Sequence, residues 1–266
     1  MAFAELSTGV RLFHTDEGGG GPPLLLVHGV GGDSSDWVFQ LPAFSVRHRT
    51  IAPDLRGHGG SSTPAAGYGP GDYADDLVEL LARLETGPVV AVGHSLGAVV
   101  VSNLARERPE LLAGAVLLDP TYGDPPERDA AIKALLRGFH ERGDVAGAVA
   151  ALGSREGADS LPWMVEWHRR RGLATPPHVM TGTLVGLHDS AQAMNRGEVE
   201  PTLRARRVPL LVYHALPGLA AWEETLQQDP RSEVHDVSGR SGHWMHHDLA
   251  DEVTEGVLTW VAELSR

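Results

Sequence analysis

Val89-Val90-Ala91-Val92-Gly93-His94-Ser95-Leu96-Gly97 is the stretch on which the reading of this chain turns. A β-branched, apolar run stops at Gly93, and an Ala/Val/Leu pattern with helical character begins directly after Leu96. A Gly-x-Ser-x-Gly at such a junction is a strand, a sharp turn and a helix, with the serine Oγ standing exposed above the sheet. The turn strains the backbone at the serine, and side chains at 93 and 97 would collide with the neighbouring strand and helix. Glycine makes up 32 of the 266 residues, so the motif could arise by chance. The strand before it and the helix after it speak against chance, and Ser95 becomes the candidate nucleophile. A serine hydroxyl reacts poorly at neutral pH, so it requires a base within reach and a third group to orient that base.

Outward from Ser95, strand patterns occur at Val10 to His14, Leu24 to His28, Thr50 to Pro53, Val89 to Val92 and Ala113 to Leu118. Between them, Asp72 with Asp75 three residues on is predicted to cap a helix whose buried face is Tyr73, Leu77, Leu80, Leu81 and Leu84. Such alternation builds a mostly parallel sheet with crossover helices, an α/β fold. Gly18 to Pro23 reads as a hairpin connection. From about 121 to 204 the alternation stops and several short helices are expected. One has a face of Ile132, Leu135, Leu136 and Phe139, another a face of Leu184, Leu187, Ala191 and Met194. The strand pattern resumes at Val208 to Tyr213 and Glu233 to Val237. A last helix carries Leu249, Val253, Val257, Trp260, Val261 and Leu264 on one side. Residues 1–120 and 205–266 therefore read as the core, and 121–204 as a helical insertion.

Leu24-Leu25-Leu26-Val27-His28-Gly29-Val30-Gly31-Gly32, Asp54-Leu55-Arg56-Gly57-His58-Gly59-Gly60-Ser61 and Ser241-Gly242-His243 complete a pattern that resembles the α/β-hydrolases from about Val10 to Leu264. The resemblance implies a mostly parallel α/β-hydrolase sheet with helices on both faces. It makes 121–204 a cap that roofs the site, His28-Gly29 part of an oxyanion loop, and His243 the catalytic base. His246 and His247 compete for that role, but are expected to begin the last helix with Asp248 capping it. Many members of the family place the acid after the strand matching Val208 to Tyr213, yet His214 to Gly218 offers no carboxylate before Glu223. Another branch places it at the end of the preceding strand, where Asp119-Pro120 stands. Asp119 is the acid on that reading, with Glu223 and Asp124 as alternatives, and a plain turn-capping aspartate as the competing role. The oxyanion hole is expected from backbone amides of Val30 and Leu96, the latter at a helix N-terminus. His28, His94, Asp54 and His58 are expected to be structural.

Trp163, Met164, Trp167, Met180 and Met194 lie in the insertion, and Trp37 follows the oxyanion loop. Trp37, Trp163 and Trp167 are the candidate pocket residues, although gluing the insertion to the core would explain them equally well. The activity implied is hydrolysis of a carboxylic ester or lactone of a hydrophobic small molecule through an acyl-enzyme. Carbon–carbon bond hydrolysis or thioester hydrolysis with the same triad, a ligand receptor with little turnover, and a cofactor-independent oxygenase are the alternatives. Serine at 95 argues against epoxide hydrolase or haloalkane dehalogenase chemistry, which attack through a carboxylate. A formal charge of -13 argues against nucleic acid or an anionic membrane as partner. The absence of cysteine excludes disulfides and thiolate metal sites. No cofactor is called for: His246 and His247 are adjacent rather than spaced as metal ligands, and Gly57 to Gly60 lacks the Lys-Ser/Thr of a phosphate loop. The first residues show no signal peptide and no stretch is apolar enough to span a bilayer. The expectation is a cytoplasmic protein, monomer or homodimer, acting on a small molecule.

Overall fold

A computed structural model describes residues 2–190 and 195–265. Eight strands form one sheet: β1 (Ala2–Glu5), β2 (Arg11–Glu17), β3 (Gly21–Val27), β4 (His48–Pro53), β5 (Val89–His94), β6 (Leu112–Leu118), β7 (Leu210–His214) and β8 (Glu233–Asp236). Their order across the sheet is β1-β2-β4-β3-β5-β6-β7-β8, antiparallel at β1, β2 and β4 and parallel from β4 onwards. The order corrects one expectation. Gly18 to Pro23 is not a hairpin connection, because β4 lies between β2 and β3 and both of them pair with it. β1 has no counterpart in the strand patterns above: it is four residues on the sheet edge, too short for a period to register.

Alternation along the central strands sorts their side chains to two faces. Leu25, Val27, Val89 and Ala91 point to a cluster shared with α2 (Pro70–Arg83) and α3 (Leu96–Glu107). Leu24, Leu26, Val90 and Val92 point to the other, where α1 (Leu41–Ser45) contributes Phe44 and the last helix contributes Val253, Val257, Trp260 and Val261. The cap of α2 also differs from expectation. Gly69 is the N-cap, and Asp72, three residues in, reaches back to accept from the Gly69 amide at 2.9 Å. The carboxylate therefore favours the helix start from inside it.

Five helices connect β6 to β7: α4 (Pro126–Arg142), α5 (Val145–Gly153), α6 (Pro162–Ala174), α7 (Pro177–His188) and α8 (Arg196–Arg204). They own a small apolar cluster of Leu136, Phe139, Ala148, Val149, Met180 and Leu184, which packs on Val30 of the core. Leu135, expected on that face, is 49% exposed. Ala191 and Met194 lie outside the described residues. After α9 (Leu219–Glu224), β8 leads to a short α10 (Met245–Asp248) and then α11 (Ala250–Leu264). His246 and His247 thus belong to a separate turn rather than to the start of the last helix. Asp248 does not cap α11; it accepts from Ser160 Oγ at 2.7 Å and from the Gly242 amide at 3.0 Å. Among the described residues no helix is long and apolar enough to cross a membrane.

The junction of β5 and α3 explains its two glycines. A Cβ on Gly93 would overlap the Gly97 carbonyl, and one on Gly97 would overlap the carbonyl oxygens of Val27 and His28. Both obstacles are backbone and cannot swing aside. Gly97→Ala is expected to destabilise the fold by about 3 kcal/mol or more, a fall in Tm of about 6–12 °C for a chain of this size. Gly71→Ala is the control, because a Cβ there meets open space in the first turn of α2. A thermal melt in which Gly97→Ala matches Gly71→Ala would refute the steric account.

Candidate active site

Ser95 sits between β5 and α3 with φ 53° and ψ -114°, a backbone conformation that side chains rarely adopt. Its amide donates to Leu118 O at 3.0 Å, and its Oγ lies 3.5 Å from Thr121 Oγ1. Asp119 follows the last residue of β6, has φ 44°, and donates its own amide to Tyr213 O at 2.8 Å. Since His94 pairs with Leu118 in the ladder, Ser95 and Asp119 leave adjacent strands at the same level.

The Asp119 carboxylate is fully engaged. Oδ1 accepts from the Ala215 amide at 3.0 Å. Oδ2 accepts from His243 Nδ1 at 2.5 Å and from Arg155 Nη2 at 2.7 Å. Burial pushes this carboxyl up, but the Arg155 charge and the His243 bond outweigh it and hold the group well below the usual carboxylate range. His243 arrives on the loop between β8 and α10. Its amide donates to Arg155 O at 2.8 Å and its carbonyl accepts from His94 Nε2 at 2.9 Å. The preceding Gly242 lies so close to the backbone of Glu156 and Gly157 that a Cβ would not fit. With Nδ1 donating to a carboxylate, Nε2 is left with a lone pair. Burial first, and then the Arg155 charge, push His243 down to about 4 against the pull of Asp119.

Around this pair the remaining groups have structural partners. Gly29 packs against Ser95 and His94, which brings the 28–32 loop with Val30 beside the turn. Leu96 opens α3, so its amide belongs to the first turn, where donors lack partners within the helix and the dipole favours negative charge. His28 accepts from the Leu55 amide through Nε2 at 2.9 Å and donates to Gly29 O through Nδ1 at 2.7 Å. Asp54 receives the amides of Ser34 and Gly60 at 2.6 and 2.7 Å. Glu223 is buried against Arg206 at 2.5 Å, and Asp124 pairs with Arg128 at 3.1 Å. Neither has a bond to His243 among the described residues.

The model of the alpha/beta hydrolase fold matches residues 22–196. The chain belongs to the alpha/beta hydrolase fold family. Over nearly its full length it is 30% identical to a non-heme haloperoxidase of Rhodococcus erythropolis, with 98% of this chain and 99% of that protein covered. It is 36% identical over 112 residues to an (E)-2-((N-methylformamido)methylene)succinate hydrolase of Acinetobacter baylyi, a match that covers 42% of this chain and 43% of that one. The chain thus matches less than half the length of the first curated relatives. A thermophilic esterase from Thermogutta terrifontis superposes with a TM-score of 0.80 at 25% identity, over 99% of this chain and 98% of the other.

Two cavities flank the site in this alpha/beta hydrolase. One of about 240 Å³ is lined by Thr121, Ile132, Leu136, Leu152, Arg155 and His188, among others. The other, of about 110 Å³, lies along Val30 and Gly31 and reaches Leu152, His168, Arg171 and Trp244. The three expected pocket tryptophans stand elsewhere. Trp37 is fully buried in the cluster with Phe44 and Met245, its ring 5.1 Å from the tilted ring of His246; it follows the 28–32 loop in sequence but packs into the core. Trp163 is 56% exposed on α6. Trp167 lies under the Arg171 guanidinium at 4.4 Å. Among the described residues none of the three lines either cavity; Leu136, Leu152 and Trp244 do. Sequence reading also misses Thr121 and Arg155. Thr121 is signalled only by its position two after Asp119, and Arg155 by nothing local.

Burial holds several histidines of this chain neutral. His58 is pushed down to about 3, His188 and His243 to about 4, and His94 and His246 well below the usual range. In the unfolded chain each would take a proton below about pH 6.5. The unfolded state then binds more protons than the folded one, so stability falls as pH drops through the window between 6.5 and the folded values. Each such group costs up to about 1.4 kcal/mol per pH unit there. The expected result is a steep fall in Tm from pH 7 to pH 5; a Tm that is flat or rising over that range would contradict it.

Proposed function

We propose that this chain is a serine hydrolase that cleaves a carboxylic ester or lactone of a small molecule through an acyl-enzyme. The observation that carries the reading is the 2.5 Å bond from His243 Nδ1 to Asp119 Oδ2, made beside a serine held at positive φ on the neighbouring strand end. In this reading His243 Nε2 takes the proton from Ser95 Oγ as the oxygen attacks the carbonyl carbon. The oxyanion accepts from the Val30 and Leu96 amides. His243 returns the proton to the leaving oxygen, then takes one from a water that attacks the acyl-enzyme, and Ser95 recovers its own. The proton transfers use the side chains of Ser95 and His243 and water.

The helices of 121–204 act as the cap in this proposal, over a core of 1–120 and 205–266. The apolar walls supplied by Ile132, Leu136 and Leu152 support a hydrophobic substrate portion, and about 240 Å³ is near the small end for a ligand pocket, which favours a compact one. The test is hydrolysis across a panel of chromogenic esters, lactones and thioesters, with Ser95→Ala as the blank. Turnover that disappears in the variant supports the reading, and the preferred chemotype separates ester, lactone and thioester. Silence across the panel from folded protein sinks it.

A further inference from the structure

Arg155 stands between the acid and the larger cavity. It lies in the turn between α5 and α6, its carbonyl accepts from the His243 amide, and its Nη2 donates to Asp119 Oδ2. Its side chain is 27% exposed and lines the cavity of about 240 Å³. A guanidinium has five N–H donors in a fork, and among the described residues Arg155 makes no side-chain bond besides the one to Asp119. The remaining donors are therefore available to an occupant of the cavity. The other charged groups on that wall are Arg128 and Asp124, which pair with each other, and His188, which burial and the Arg155 charge keep neutral. Ile132, Leu136 and Leu152 add apolar lining. The cavity is largely apolar, and of its two guanidiniums Arg128 is paired with Asp124 while Arg155 touches Asp119.

We propose that Arg155 is a specificity-determining and positioning residue: it receives a carboxylate carried by a small ester substrate while it holds Asp119 against His243. The proposal rests on the serine hydrolase reading above and adds a substrate class to it. With a neutral ester only the shared Asp119 carboxylate opposes the guanidinium charge beside His243, and the remainder works against the imidazolium that forms in the transition state. A substrate carboxylate offsets that charge, so a charged ester gains in kcat as well as in KM. The groups facing His243 are Asp119 at the end of β6, Arg155, His94 on β5, His168 on α6, His246 on α10 and Trp244 beside it. Arg155 is the permanent cation among them.

The experiment uses two matched pairs, followed by acid release: monomethyl glutarate against methyl pentanoate, and 4-acetoxybutanoate against butyl acetate. The first pair carries the carboxylate on the acyl side, the second on the alcohol side. The wild type is expected to favour the charged member of one pair in kcat/KM by on the order of tenfold to a hundredfold, the range for a charge-assisted bond. Arg155→Gln is expected to erase that preference and Arg155→Lys to retain part of it. In Arg155→Gln the acid limb of the pH profile for the neutral ester moves to higher pH, which a merely structural loss would not produce. The proposal is overturned if neither charged ester is favoured or if Arg155→Gln keeps the preference. If all four esters resist while neutral chromogenic esters are turned over, Arg155 has no such role and the serine hydrolase reading stands. If activity survives in Ser95→Ala, both fall.

Discussion

Ser95→Ala is expected to lower kcat by on the order of 10⁶, leaving about 10³–10⁴-fold over the uncatalysed rate from the oxyanion donors and binding. The substitution removes only Oγ. The Cβ stays, so the unusual backbone at φ 53° and the amide bond to Leu118 O are retained. What is lost is the atom that forms the covalent intermediate. The measurement is steady-state turnover on the best substrate of the panel, together with intact-mass detection of an acyl-enzyme in the wild type during turnover. Retention of more than a tenth of the activity would mean that Ser95 is not the nucleophile.

Asp119→Asn is expected to cost on the order of 10⁴ in kcat with the fold preserved. Asparagine is among the residues that best tolerate positive φ, so the 44° at this position is not a reason for collapse. The Ala215 amide needs an acceptor, which orients the oxygen of the introduced carboxamide towards it and the NH₂ towards His243 and Arg155. His243 Nδ1 must then accept, and the imidazole proton moves to Nε2, which on the proposed mechanism can then no longer take the serine proton. The same NH₂ meets the Arg155 guanidinium donor to donor. The readouts are kcat and the downfield proton resonance of the Nδ1–H bond, which is expected to vanish. A loss under tenfold would return the acid assignment to open competition, with Glu223 already committed to Arg206 at 2.5 Å.

How much of this is legible in the sequence depends on how local each cause is. The five strand patterns before residue 120 and the turn at Ser95 follow from periodicity and glycine placement, and each matches a strand or turn of the sheet. The order of the strands is not legible. Whether Gly18 to Gly20 closes a hairpin depends on β4, which arrives later in the chain and inserts between the two strands. Asp119 stands out because it follows a strand end and His243 because it lies between the last strand and the last helices, and the structure brings their side chains to 2.5 Å. The places of Val30 and Leu96 follow for a related reason, since backbone amides go where their elements go; their oxyanion role belongs to the proposal. Side-chain direction is not readable. Trp37 is next to the 28–32 loop in sequence, yet its ring packs into the buried cluster with Phe44 and Met245. Arg155 reaches Asp119 across 36 positions by packing of one turn on another, and no pattern within the chain announces such a contact.

The ladder between β5 and β6 has a consequence for heat tolerance. Ser95 and Asp119 each follow a strand end and each is pinned by its amide to a carbonyl of the next strand. Their separation is therefore a lattice spacing of the sheet and drifts only when the sheet itself melts. His243 is held differently: its amide is tied to the turn at Arg155 to Ser160, and among the described residues only side chains, His94 and Asp119, tie it to the sheet. Warming will misplace the base before it loosens the serine or the acid, so activity should fade below the temperature of global unfolding and return on cooling. Durability of the proposed activity is a property of one loop and the turn it rests on.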